Sequence, residues 1–166
     1  MRIALLGAPG AGKSHVAKFI SANLGIPHIQ SDEIYWQGKN LRIEVSKLIE
    51  GKDWIIEGHI SKLSDLVFPK VDKVIVIEGL NLRSLYRSLK RDWKNPVRAW
   101  HNIQFYDKIS KKRKEMIVEL IAARKDDVLF LNNFPDLSES DLAAFCKSLK
   151  SSAVKAQKPA VKRKRS

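Results

Sequence analysis

Gly7-Ala8-Pro9-Gly10-Ala11-Gly12-Lys13-Ser14 is the stretch that decides the reading of this chain. It fits the phosphate-binding pattern G-x-x-x-x-G-K-[ST] without a mismatch. Each position answers a chemical need. Glycines let the backbone wrap so that successive N–H groups point inward as an anion nest. A helix starting near Gly12 adds the positive end of its dipole. Lys13 reaches the β- and γ-phosphates of a nucleoside triphosphate as a point charge. The Ser14 hydroxyl is a hard oxygen donor suited to Mg²⁺. The residues from Gly7 to Ser14, with His15 next to them, are therefore the expected ATP site, and Ser14 is the first expected Mg²⁺ ligand.

The flanks agree with the motif. Arg2–Leu6 is a short apolar run ending at glycine, which reads as a buried strand. Ser14–Leu24 carries Val16, Ala17, Ile20 and Leu24 at helical spacing, and Gly25 with Pro27 ends it. Further on, Ile26–Ile29, Trp54–Glu57, Lys73–Glu78 and Val128–Leu131 read as strands. Helices are expected over 41–50, with Leu41, Val45, Leu48 and Ile49 on one face, over 81–94, and over 111–125 with Met116, Ile117, Leu120 and Ile121 inward. A closing helix spans Ser138–Leu149, with Ser138 as N-cap and Asp141 in the capping-box position. Alternating apolar strands and helices predict an α/β fold: a five-stranded parallel sheet covered by helices on both faces.

The chain has 166 residues, enough for one domain. We expect a kinase-like domain over 1–149, with a helical lid at about 85–115, and a basic tail over 150–166 too polar to pack. The single cysteine, Cys146, excludes an intrachain disulfide, and the four histidines show no zinc-ligand spacing. No apolar run approaches the roughly 20 residues of a membrane span. The N-terminus shows no secretory pattern, so a cytoplasmic protein is expected. The net charge of +13 invites a nucleic-acid reading. Six of those charges (Lys155, Lys158, Lys162, Arg163, Lys164 and Arg165) lie in residues 151–166, and residues 1–150 keep +7. A body at +7 suits a binder of polyanionic nucleotides. The tail adds a candidate for weak nucleic-acid binding. Oligomeric state is left open.

Three segments point from nucleotide binding to a kinase. Ser31-Asp32-Glu33 follows the second strand, at the sheet edge where α/β proteins hold ligands. Asp32 there can bind or activate a phosphoryl acceptor, or cap the helix that follows. Glu57-Gly58 ends the third strand. Glu57 is placed to orient Mg²⁺, and Gly58 to let the backbone approach a substrate, although a plain strand end is the simpler reading. Arg83, Arg87 and Arg91 then repeat along one helix face. Phosphoryl transfer depends on cations around the migrating group, while a solvated stripe is the bland alternative. The chain is short for a motor or AAA-type ATPase, and it lacks the N/T-K-x-D segment of GTPases.

These segments resemble those of the adenylate-kinase-like small kinases, most closely the DNA topology modulation protein family. The matching pieces are the P-loop, Asp32-Glu33-Ile34-Tyr35-Trp36, Trp54-Ile55-Ile56-Glu57-Gly58 and Leu85-Tyr86-Arg87-Ser88-Leu89-Lys90-Arg91. The resemblance spans about residues 1–149. It implies a nucleoside-monophosphate-kinase-like fold and ATP with Mg²⁺. It also implies lid arginines at Arg87 and Arg91 that contact the phosphates, with Tyr35 beside Asp32, Glu57 and Gly58 on the acceptor side. Glu57 departs from the family's usual Asp, and His15 from its usual Thr. The lid is poorer in arginine, and the tail lies outside the pattern. The expected activity is ATP-dependent γ-phosphoryl transfer to a small acceptor, a (deoxy)nucleoside monophosphate or related metabolite. The expected catalytic residues are Lys13, Asp32, Arg87 and Arg91. The alternative is a nucleic-acid-associated ATP-binding protein, or a polynucleotide 5′-kinase, using the tail and the Trp36, Trp93 and Trp100 aromatics.

Overall fold

The structure, a computed structural model, describes residues 1–77, 90, 106–131 and 138–156. Five strands form one sheet in the order β2-β3-β1-β4-β5. They are β1 (Arg2–Gly7), β2 (His28–Gln30), β3 (Trp54–Glu57), β4 (Lys73–Ile77) and β5 (Val128–Leu131). Every pairing is parallel. The central strand, β1, leads directly into the phosphate-binding loop. Its neighbours are β3, with Ala4 beside Ile56, and β4, with Gly7 beside Ile77.

Strand residues alternate between two cores. Ile3, Leu5, Ile55, Ile75 and Ile77 face α1 (Lys13–Leu24) and the last helix, α6 (Glu139–Ala156), through Val16, Ala17, Ile20, Leu142, Cys146 and Leu149. Ala4, Leu6, Ile56, Val74 and Val76 face the other side. There they meet residues of α3 (Leu41–Leu48), α4 (Ser64–Val67) and α5 (Tyr106–Arg124). Both faces are apolar, as strands covered on both sides must be. Truncating a fully buried Ile55 or Ile75 to alanine therefore costs about 2–5 kcal/mol. Trp54 is fully buried, and its indole N–H donates to the Ile49 carbonyl at 3.1 Å, so the ring hides without an orphaned donor.

The expected elements return with local shifts. Val45 and Ile49 are buried, but Leu48 is half-exposed. The helical register ends at Leu48, and Ile49 takes the inward place. On α5, Leu120 is buried, and Met116, Ile117 and Ile121 pack against the core as expected. The capping box at α6 forms in both directions. The Ser138 N–H donates to Asp141 Oδ2 at 2.9 Å, and the Asp141 N–H donates to Ser138 Oγ at 3.2 Å. One boundary is corrected: α6 does not end at Leu149 but runs to Ala156. Ser-Ser-Ala-Val-Lys-Ala contains no helix breaker, and the Lys150 ammonium donates to the Asn23 carbonyl at 2.9 Å, tying the extension to α1. The expected 81–94 helix, apart from Lys90, and the tail beyond 156 lie outside the described residues.

The far end of the sheet is held by charge. Lys73 donates to Asp127 Oδ1 at 2.9 Å, and Arg124 donates to Asp127 Oδ2 at 3.1 Å and to the Phe68 carbonyl at 3.1 Å. The Lys73 hydrogen bond, with Arg124 adding to it, holds the Asp127 carboxyl below the usual carboxylate range.

Candidate active site

The loop between β1 and α1 turns on Gly10 (φ 75°) and Gly12 (φ 92°), values that side chains with a Cβ rarely adopt. Its alanines anchor it: Ala8 and Ala11 are buried in the core shared by α1 and α6. No side chain caps α1 at Gly12, and its first turn contains no acid. The helix dipole therefore points an uncompensated positive end into the loop, the arrangement that holds phosphate. The Lys13 ammonium folds over the loop and donates to the Ala8 carbonyl at 3.0 Å. His15 is exposed on the first turn of α1, its N–H donating to the Gly12 carbonyl at 3.0 Å.

Ser14 Oγ donates to Glu57 Oε1 at 2.8 Å. Glu57 is 3% exposed at the carboxyl end of β3. A buried carboxylate needs partners. Ser14 supplies one, and His28 Nε2 stands 3.8 Å from the same oxygen. That imidazole nitrogen is buried and has no hydrogen-bond partner among the described residues. Ser14 and Glu57 form a pair of hard oxygens beside a phosphate loop. This donor set suits Mg²⁺, which typically takes one or two protein ligands and fills its octahedron with water and phosphate oxygens. The residues fit the group, and the Glu57 side chain reaches Ser14 from the end of β3.

A second group of contacts gathers on the β2 side of the same edge. Parallel pairing sets Gln30 beside Glu57, so the residues that follow each strand meet. Ser31 is buried. Its hydroxyl donates to the Glu57 carbonyl at 2.8 Å and accepts from the His59 N–H at 2.7 Å. Gly58 has φ 107°, and a Cβ there would come within 2.5 Å of Asp32 Oδ1 and 2.6 Å of Ser31 Oγ. The room that Gly58 leaves is therefore taken by the protein's own side chains, not kept for a substrate. Asp32 does not cap α2 (Ser31–Trp36); the cap position is Gln30, and Asp32 lies in the first turn. Its Oδ1 sits 2.5 Å from His59 Nδ1. The Tyr35 ring stacks on His59 at 4.6 Å between centroids, with Trp36 edge-on to it at 5.3 Å and the Lys62 ammonium 4.2 Å from its centre.

The fold thus brings Lys13, Ser14 and Glu57 together, and beside them Asp32, Tyr35 and Gly58. Arg87 and Arg91 lie outside the described residues. His28, Ser31 and His59 join the site without having been singled out from the sequence. The signal for them was available in principle: once β2 and β3 are neighbours, residues just beyond Gln30 and Glu57 must touch.

Comparison with known proteins places this geometry. No protein-family model matches the chain. The adenylate kinase of Streptomyces avermitilis is 42% identical over 60 residues, which is 36% of this chain and 26% of that protein. The adenylate kinase of Clostridium kluyveri is 43% identical over 60 residues, 36% of this chain and 27% of that one. The matched segment thus spans about a quarter of each relative's length. Among solved structures, a gluconokinase from Sinorhizobium meliloti 1021 superposes with a TM-score of 0.58 at 10% identity, covering 95% of this chain and 97% of that one. Shikimate kinase from Aquifex aeolicus gives 0.53 at 18% identity, over 93% and 99%. A deoxyadenosine kinase from M. mycoides with its products dCMP and dCDP gives 0.55 at 18% identity, over 91% and 99%. The fold is that of the P-loop NTPases. With the phosphate loop and the adenylate kinase matches, the chain belongs to the P-loop kinase group. No helix among the described residues is long and apolar enough to cross a membrane.

Proposed function

We propose that this protein is an ATP-dependent kinase that transfers the γ-phosphoryl group to a small acceptor carrying a hydroxyl or a phosphate. The observation that carries the reading is the Ser14–Glu57 hydrogen bond, which joins the phosphate loop to a buried acid on the neighbouring strand. Backbone groups from Gly7 to Gly12 and the α1 end hold the phosphates. Lys13 leaves the Ala8 carbonyl for the β- and γ-oxygens. Ser14 and Glu57 hold Mg²⁺, which when bound neutralises charge developing on the phosphates. Asp32 faces the acceptor. Arg87 and Arg91 close over the reacting group, a role that rests on sequence alone. The partial adenylate kinase identity supports nucleotide use. The nearer kinship to the DNA topology modulation proteins is part of the same reading and rests on Asp32-Glu33-Ile34-Tyr35-Trp36 and Trp54-Ile55-Ile56-Glu57-Gly58. The test is a screen of nucleosides, nucleoside monophosphates and small hydroxy acids for ATP-dependent phosphorylation, with Lys13→Ala as control. The wild type should phosphorylate at least one class, and the folded variant should lose the activity. Undiminished turnover in a folded Lys13→Ala protein would overturn the assignment.

A further inference from the structure

The position of His28 follows from the sheet. Parallel pairing sets His28 beside Ile55 and Gln30 beside Glu57. Side chains two positions apart on a strand share a face. His28 therefore lies one pleat before Glu57, on the face that Ile55 gives to α1, the helix that carries Ser14. Its neighbours Ile26 and Ile29 are buried apolar residues. An imidazole among them brings a polar atom into the interior at a cost. The His28 side chain is 11% exposed, and its Nε2 is buried with no hydrogen-bond partner among the described residues. Glu57 Oε1 stands 3.8 Å from that nitrogen and accepts from Ser14 Oγ at 2.8 Å. An N–H to O bond spans roughly 2.9 Å, so an approach of about 1 Å separates the pair. The terminal torsion of a glutamate is broad, and turning the carboxylate is an inexpensive way to cover that distance.

We propose that His28 is a positioning residue for Glu57: its Nε2–H donates to Oε1 when the carboxylate turns toward a cation held with Ser14, and this bond fixes the rotation of the acid. The inference rests on the Mg²⁺ part of the kinase reading and adds a member to that corner. Oε1 already receives the Ser14 hydroxyl, so it is an acceptor. A neutral imidazole carries its proton on one nitrogen only. A bare Nε2 would turn its lone pair on an acceptor oxygen and be repelled. A protonated Nε2 is attracted, so the pairing selects the Nε2–H tautomer. Ser14 is itself an intended ligand, and its hydroxyl must adjust as a cation enters. His28, one pleat back from the phosphate loop, can hold Oε1 without touching the cation. Groups that orient a metal's ligands in this way commonly set its affinity by 10- to 100-fold.

The experiment measures Mn²⁺ binding to the full chain with a non-hydrolysable ATP analogue, read from the paramagnetic resonance signal of free Mn²⁺. His28→Phe keeps a planar ring and removes the donor. It should raise the Kd for Mn²⁺ by roughly 10- to 100-fold, while affinity for the analogue in EDTA stays at the wild-type value. Its melting temperature without ligand should equal or exceed that of wild type, because an unpaired buried polar atom is gone. His28→Gln, whose amide N–H can stand where Nε2–H stands, should recover most of the lost Mn²⁺ affinity. Wild-type Mn²⁺ affinity in folded His28→Phe would overturn the positioning role. So would an equal loss of analogue affinity in EDTA, which marks a general structural role. The ¹⁵N shifts of His28 read the tautomer in the wild-type protein and need no variant to fold. Nε2 should carry the proton in the complex with Mg²⁺ and the analogue, and a proton on Nδ1 alone would overturn the inference. If wild type binds no Mn²⁺ with the analogue, the inference falls with the metal corner. If Mn²⁺ binding responds as expected and no acceptor is phosphorylated, the kinase reading falls alone and His28 keeps its role.

Discussion

The end of β3 serves its two neighbours in different ways. Toward β1, the Glu57 side chain reaches 2.8 Å to Ser14 and is shut away from solvent. Toward β2, the backbone at Glu57 and His59 binds Ser31, and the carboxylate that matters, Asp32, stands half in solvent. The first corner is buried, and in the proposed reaction it would hold a ligand whose chemistry does not vary: phosphates with a hard cation. The second is open at one end, as an acceptor that must enter and leave requires. The difference separates the donor half of the proposed reaction from the acceptor half, with one strand end supporting both.

The sharpest way to break that division is to neutralise each acid alone. Glu57→Gln keeps a group that can accept from Ser14 but removes the charge. We expect Mg²⁺ or Mn²⁺ binding in the presence of ATP to weaken and kcat to fall on the order of 10²-fold or more, since several kcal/mol of charge stabilisation depend on the metal. Asp32→Asn should reduce acceptor turnover by about 10²- to 10⁴-fold, the usual contribution of proton transfer, while leaving nucleotide affinity as it was. Calorimetric titration with a non-hydrolysable ATP analogue reads the affinity. Equal losses of nucleotide affinity in both variants would mean that the two corners act as one.

The arginines offer a second, smaller test. Arg87→Ala and Arg91→Ala should each lower kcat by about 10²-fold if the side chain meets the transferred group, and should change ATP affinity little. Wild-type kcat in both would leave the solvated helix face as their role.

Acid should act on the far end of the sheet through Asp127. Asp127 is held below its ordinary value first by Lys73 and then by Arg124. A depressed carboxyl stabilises the fold above its unfolded value and stops doing so as pH falls through its folded value. Melting temperature should therefore drop as pH is lowered below the usual carboxylate range, and Asp127→Asn should flatten that fall. An unchanged pH profile in the variant would show that the Lys73–Asp127–Arg124 network contributes nothing measurable. The smallest effect is expected from removing residues 157–166: thermal stability and phosphoryl transfer unchanged, with any salt-sensitive DNA binding reduced. Five of the six tail cations lie in that segment. Equal DNA binding by both forms at two salt concentrations would remove the tail from consideration.

Legibility followed the same division. The donor corner was readable because a contiguous motif carries its own backbone chemistry, and because Glu57 ends an apolar run that could only be a strand. Asp32 was readable for the same reason, as a carboxylate just past β2. His59, Ser31 and His28 were not, because their roles arise from pairing between residues 26 to 29 positions apart, which no local pattern encodes. Gly58 was noticed for the right property, absence of a Cβ, but its occupant was taken to be a ligand when it is Asp32. The end of α6 was missed for a different reason. A lysine- and serine-containing stretch without apolar periodicity gives no sign of where a helix stops until Pro159 forbids it.

The uncapped start of α1 has a consequence for the protein as a thermodynamic object. A helix of 12 residues whose own first turn has no acid and no capping side chain gains stability from an anion bound at its start. A ligand that binds only the folded form raises its stability by about 2.7 kcal/mol at a hundredfold excess over its dissociation constant. Melting temperature then becomes a gauge of nucleotide concentration. Under the proposed nucleotide binding, the protein without ligand is the softer and more protease-sensitive form.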